Sequence, residues 1–282
     1  MSELVSASPR VLLTGATDGI GYATARRLVD DGATVYLHAP DQDSGDGAMT
    51  SLVKDGAEPL RLHLVVADFT RLDEVACLAD TLTETLPALD VLINNAAVAG
   101  PERRTYTQDG HEVTFQVNYL APYLLTTKLM PRLASSGGRV VNLSSAMHRG
   151  GNINWTNPAG RGRYWPLAAY SQSKLALTMY TKTLAEAGGA SFTALSVHPG
   201  VFQTALLPVY GRVGRPAEEA AQILAALTSP TRPVVDGGYY DGPSLAPSAA
   251  LVENVRARSR LAKLTAHLVG TTLSTRRRTE RQ

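Results

Sequence analysis

The chain has one cysteine, Cys77, among 282 residues, which excludes an intramolecular disulfide. Its apolar neighbours predict an inward-turned helix face for Cys77, and the scarcity of thiols fits a reducing, cytoplasmic setting. Net charge is only +2, and no aromatic-basic ladder is present, so a nucleic-acid partner is not expected. No run of apolar residues approaches a membrane span, and Met1 to Arg10 lacks the apolar core of a signal peptide. The six histidines, His38, His63, His111, His148, His198 and His267, form no paired metal-ligand spacing. They read as surface or strand-end residues, and no metal is expected.

What is present is an ordinary globular composition, 44% apolar and 18% charged, long enough for one large core. Apolar β-branched runs alternate with longer amphipathic stretches. Strands are predicted at Arg10–Thr14, Thr34–Leu37, Leu60–Ala67, Asp90–Asn94, Arg139–Ser144 and Phe192–His198, with a short seventh at Gly238–Tyr240. Helices are predicted at Gly19–Asp30, Arg71–Leu86, within Gln108–Pro131, and at Leu167–Glu186, Pro216–Leu227 and Ser248–Leu268. Pro40 to Gly47 reads as a polar loop. This alternation predicts an α/β domain: a parallel sheet of about seven strands, flanked by helices and joined by right-handed crossovers. No linker divides residues 1–270, and residues 271–282 read as a basic, disordered tail.

Two motifs carry chemistry. Gly15, Gly19 and Gly21 lie between the first strand and the first helix, within Thr14-Gly15-Ala16-Thr17-Asp18-Gly19-Ile20-Gly21. A chain that must turn sharply, approach a pyrophosphate and offer it helix N-terminal amides needs glycines at such a place. Tyr170 and Lys174 are four residues apart on a predicted helix, so they share a face. A phenol is a poor proton-transfer group while its pKa stays near ~10. A neighbouring ammonium favours the phenolate and lowers that value. A phosphate cradle with an activated tyrosine is equipment for hydride transfer.

The glycine spacing resembles the short-chain dehydrogenase/reductase family, whose signature is Thr-Gly-x-x-x-Gly-x-Gly. The resemblance runs over nearly the whole chain and implies a single Rossmann-like, doubly wound domain. Arg104 to Glu112, Phe115 to Leu120, Ser144-Ser145-Ala146-Met147-His148 and Gly238 to Asp241 are most similar to its retinol-dehydrogenase-like branch. The resemblance implies catalytic roles for Asn118, Ser145, Tyr170 and Lys174. Ser145 would hold the substrate oxygen and Tyr170 would act as general acid or base. Lys174 would tune the phenol and bind the cofactor ribose, and Asn118 would position a water.

Gly15, Thr17, Asp18, Gly19, Ile20 and Gly21 would cradle the pyrophosphate. Asp68 and Phe69 would meet the adenine, and Asn95, Ala96 and Ala97 match the Asn-Ala-Gly turn, with Ala97 in place of its glycine. Tyr170, Lys174, Pro199, Gly200, Val201 and Thr204 would serve the nicotinamide half. The cofactor is NAD or NADP. Pro40 stands where the branch commonly has an arginine for a 2′-phosphate, and Asp18, Asp41, Asp43 and Asp46 make the region acidic, which leans to NAD unless Arg61 folds in.

A bulky hydrophobic alcohol or carbonyl compound is the expected substrate, with retinoid, steroid and polyketide-like compounds left open. Trp155, Tyr164 and Trp165 either cover the pocket or tuck into the core. Leu206 to Tyr210 match a substrate lid, and Arg161, Arg163 and Arg212 read as solvated charges. A homodimer is the assembly the resemblance suggests, although the extension after Tyr240 could cover a contact surface. A non-catalytic dinucleotide sensor and an epimerase or dehydratase stand as alternatives. A serine hydrolase is disfavoured, because Leu143 and Met147 occupy the glycine positions of its strained turn.

Overall fold

The structure, a computed structural model, describes residues 8–156, 163–203, 206 and 214–279, with side chains described up to residue 270. Eight strands form one sheet: β1 (Arg10–Leu13), β2 (Thr34–Ala39), β3 (Leu62–Val66), β4 (Val91–Asn94), β5 (Arg139–Leu143), β6 (Thr193–His198), β7 (Tyr239–Asp241) and β8 (Ser244–Ala246). Their order is β3-β2-β1-β4-β5-β6-β7-β8, parallel from β3 to β7. The helices are α1 (Gly19–Asp30), α2 (Gln42–Lys54), α3 (Leu72–Thr85), α4 (Val113–Phe115), α5 (Ala121–Ser136), α6 (Pro166–Gly188), α7 (Ala217–Thr228), α8 (Ala250–Glu253) and α9 (Val255–Thr279).

Both faces of the sheet are covered, which is why its strands are apolar almost throughout. Along β1 the faces alternate. Leu12 packs with α3, α5 and α6, while Val11 and Leu13 pack with α1 and α7. The order reverses between β1 and β4, and a cleft opens at the carboxyl ends of strands at such a switch point.

The sheet exceeds the expected seven strands by β8, a three-residue antiparallel partner of β7 whose exposed residues carry no apolar alternation. The expected loop Pro40–Gly47 is instead the start of α2. Asp41 caps that helix by accepting from the Ser44 amide at 2.9 Å. Gly45, which reads as a loop residue, lets α2 approach β3, since a Cβ there would stand 2.6 Å from Leu64.

The last segment is two helices, broken at Asn254, whose Oδ1 accepts from the Ala257 amide at 3.0 Å. The basic tail expected to be disordered is helical to Thr279, continuing α9 past Gly270; residues 280–282 lie outside the described ones. α9 buries Leu261 and Val269, and Thr265 meets the Tyr119 hydroxyl at 2.6 Å. Cys77 is exposed on α3, contrary to the expected inward face: Val75, Leu78, Ala79 and Leu82 take the buried side, and position 77 points away from them.

Candidate active site

A cleft of about 300 Å³ lies at the switch point, walled by the loops that follow β1, β2, β3 and β4. It gathers Gly15, Thr17, Asp18, Gly19, Ile20, Gly21, Pro40, Asp68, Phe69, Asn95, Ala96 and Ala97, as the sequence motifs predict. Gly15 has φ +64° and a Cβ there would stand 2.7 Å from Ala96 Cα; a Cβ on Gly21 would strike the Gly15 carbonyl. The loop therefore folds tightly onto the β4 turn only without side chains. Asn95 is committed to this packing: its amide nitrogen donates to the Thr14 and Gly15 carbonyls at 2.9 and 2.8 Å. The first turn of α1, whose amides have no intrahelical acceptor, opens onto the cleft. These features fit a dinucleotide pyrophosphate. The Asp68 carboxylate is held by the Thr70 amide and hydroxyl at 2.8 and 2.6 Å.

His38, read as an ordinary strand-end residue, also lines the cleft. The Gly15 amide donates to its Nδ1 at 3.1 Å, and its Nε2–H donates to the Ala67 carbonyl at 2.9 Å. An amide only donates and a carbonyl only accepts, so the ring is neutral with its proton on Nε2. Burial pushes its pKa down to about 4. The ring also packs on Phe69, 4.2 Å between centroids. The available sequence signal was its place near the end of a buried strand, level with the glycine loop.

Of the four candidate catalytic residues, Asn118 bonds to Val98 in the cleft wall, and Tyr170 and Lys174 share α6. Between α4 and α5 the helix widens into a π turn at Gln116–Leu120, with Asn118 at its middle. Such turns are frequent at functional sites. Asn118 accepts from the Val98 amide at 2.8 Å, and its own amide donates to the Val98 carbonyl at 3.0 Å and to Ser173 Oγ at 3.1 Å. Val98 is itself part of the cleft wall. Ser173, which sequence reasoning passed over, thus joins Asn118 to the helix of Tyr170 and Lys174.

Tyr170 and Lys174 are both buried on α6. Lys174 Nζ donates to the Leu143 carbonyl at the end of β5, at 2.8 Å, and burial pulls its pKa down to about 7. Ser145 is fully buried, and its Oγ accepts from the Met147 amide at 3.1 Å. The adjacent Ser144 faces α6, with its hydroxyl 2.6 Å from that of Thr178.

Other expected residues fall elsewhere. Pro199, Gly200 and Val201 follow β6 and are not among the residues lining the cleft; Gly200 has φ +123°, and a Cβ there would meet the Arg215 guanidinium. Thr204, Leu207 to Tyr210, Arg161 and Arg212 lie outside the described residues, whereas Leu206 lines the cleft. Trp155 packs under Arg260 of α9, 4.7 Å from guanidinium to ring. Trp165 is exposed beside Arg163. Arg61 does not reach the cleft: it pairs with Glu58 at 2.7 Å and donates to the Gly32 carbonyl and Ser8 hydroxyl.

A family model described as short chain dehydrogenase matches residues 9–211. Human (Homo sapiens) retinol dehydrogenase 13 is 33% identical, covering 92% of this chain and 84% of its own. A Streptomyces sp. (strain C5) protein, provisionally named daunorubicin C-13 ketoreductase DnrU, is 34% identical with 93% of each chain covered. The crystal structure of an uncharacterized protein from Mycobacterium Paratuberculosis is similar over 94% of each chain, at 29% identity and TM-score 0.78.

Proposed function

The chain belongs to the short-chain dehydrogenase family and is an oxidoreductase acting on CH–OH groups; from that premise we propose that it interconverts a bulky hydrophobic alcohol and its carbonyl form with NAD, using Tyr170 as the proton-transfer group. The observation that carries this reading is the hydrogen-bonded link from the cleft wall at Val98 through Asn118 and Ser173 to the helix of Tyr170 and Lys174. A bound nicotinamide dinucleotide would supply the hydride donor or acceptor. Gly15 to Gly21 would hold its pyrophosphate, and Asp68 and Phe69 its adenine.

The residues of the chain do the rest. Tyr170 removes the carbinol proton in one direction and returns it in the other. Ser145 donates to the substrate oxygen and stabilises charge that develops there. Lys174, with a pKa near 7, is partly charged at neutral pH and supplies the positive field that makes the phenol labile. Asn118 holds the π turn against the β4 loop.

Electrostatics support NAD over NADP. Among the described residues the cleft is lined by two carboxylates, Asp18 and Asp68, and by no lysine or arginine. A 2′-phosphate calls for a cation. Val98, Val117 and Leu206 give the cleft apolar wall for a hydrophobic substrate. The names of the two relatives, a retinol dehydrogenase and a daunorubicin ketoreductase, point to substrates of that bulk.

The test is NADH oxidation against a panel of bulky ketones and aldehydes. Tyr170→Phe should lose at least about a hundredfold in kcat, the usual contribution of general acid–base catalysis. Undiminished turnover in that variant would overturn the mechanism, and tighter binding of NADPH than NADH would overturn the cofactor assignment.

A further inference from the structure

The turn Ala146–Gly150 that follows Ser145 is tied to the segment after β7 by two consecutive side chains. His148 is fully buried. Its Nδ1 lies 2.7 Å from the Ser145 carbonyl, and the Ala249 amide lies 3.1 Å from its Nε2. The carbonyl only accepts and the amide only donates, so the ring is neutral and carries its proton on Nδ1. One face of the Tyr239 ring area is packed by this imidazole, 4.4 Å between centroids, and the Arg149 guanidinium lies 5.0 Å from the same ring. Arg149 also donates to the Pro247 carbonyl at 3.1 Å and pairs with Asp241 at 3.5 Å. Tyr239, Asp241, Pro247 and Ala249 all lie beyond residue 211, where the match to the family ends.

We propose that His148 is a positioning residue for catalysis: by bridging the Ser145 carbonyl to the Ala249 amide, it makes the geometry of the serine depend on the docked C-terminal segment. The inference rests on the role given above to Ser145. A serine that must donate to a substrate oxygen needs its backbone held to a fraction of an ångström. Its hydroxyl can turn about χ1, but its Cα is set by the backbone that His148 grips. His148 does not touch the reacting atoms in this scheme, so its removal should slow turnover without weakening the cofactor.

Four variants test this: His148→Phe, His148→Asn, Ala249→Pro and, as control, Ser145→Ala. Asparagine keeps a donor near the Nδ1 position, whereas phenylalanine keeps only the ring. Residue 249 already has φ −63°, so proline removes the amide proton while matching the backbone there. The measurements are kcat on the best carbonyl of the panel, NADH affinity by fluorescence, and the ring nitrogen shifts of His148 by NMR.

His148→Phe should lower kcat by about tenfold or more with NADH affinity unchanged, and His148→Asn, which keeps a donor to Ser145 but loses the acceptor for the Ala249 amide, should lower it as Ala249→Pro does. Ala249→Pro should lower kcat and convert a pure Nδ1–H ring into a tautomer mixture. Full kcat in His148→Phe, or an Nε2–H ring in the parent protein, overturns the proposal; the NMR result needs no substrate. Equal losses of kcat and NADH affinity would make the role merely structural and also overturn it. Full activity in Ser145→Ala would instead sink the assignment of the serine.

Discussion

Lys174 Nζ stands 5.6 Å from the centre of the Tyr170 ring, while its hydrogen bond goes to the Leu143 carbonyl. The amine is therefore close enough to bias the phenol but is itself desolvated, and burial draws its pKa from 10.5 to about 7. The unfolded chain retains the ordinary value. Below pH 7 both states bind the proton and the folded state carries the full desolvation cost. Between pH 7 and 10.5 the unfolded state binds more protons, so stability rises with pH, by up to about 1.4 kcal/mol per unit. Urea unfolding of the cofactor-free protein should show this rise. Lys174→Met should be more stable at pH 7 and flat across that window; an unchanged slope would refute the linkage.

His38 works in the acid range. Its folded pKa, about 4, lies below the 6.5 of an exposed imidazole, so the stability of this site is complete above pH 6.5 and is lost as pH falls towards 4. His198, also drawn to about 4 by burial, adds to the same window. Each contributes a slope of up to about 1.4 kcal/mol per pH unit. His38→Asn, which can still accept from the Gly15 amide, should remove about one proton from that dependence. Unfolding curves at pH 6.5, 5.5 and 4.5 decide it, and identical slopes would show that His38 does not titrate here.

Gly15→Ala should weaken the cofactor. The new Cβ meets Ala96 Cα at 2.7 Å in a left-handed backbone, which costs roughly 1–2 kcal/mol for a non-glycine residue before any clash is counted. NADH affinity should fall by at least about tenfold. Retained affinity would mean that the loop rearranges freely and does not form a fixed cradle.

The two neighbouring serines should separate cleanly. Ser144→Ala removes a buried contact to Thr178, whose hydroxyl still donates to the Lys174 carbonyl at 2.8 Å. It should cost about 1 kcal/mol of stability and little kcat. Ser145→Ala should do the reverse. Paired thermal melts and kcat values would expose a reversed assignment at once.

Pro40→Arg should improve NADPH binding by about tenfold, because it brings a guanidinium to a wall whose charged side chains, among the described residues, are the carboxylates of Asp18 and Asp68. Competition between NADH and NADPH, measured by fluorescence, reports the ratio. If the ratio does not move, the 2′ position is read from another side of the cleft.

The strand–helix alternation and the glycine loop were readable because each follows from local rules. Parallel strands covered on both faces are apolar runs, and a tight turn against a neighbouring backbone excludes Cβ atoms. Tyr170 and Lys174 share a face because four residues make one helical turn. β8 was not readable, since three residues, two of them exposed, carry no pattern, and α2 was hidden because its glycine at position 45 reads as a loop until Leu64 is seen beside it.

The order of residues thus determined the type of fold, the glycine cradle and the identities of Asn118, Ser145, Tyr170 and Lys174 as candidates. Only the tertiary structure decided that His38 grips Gly15, that His148 joins Ser145 to Ala249, and that Arg61 is spent far from the cleft. Those partners lie 23, 101 and 29 positions apart along the chain. Periodicity records which way a side chain faces within its own element, whereas a hydrogen bond between elements exists only once the sheet has set their distance.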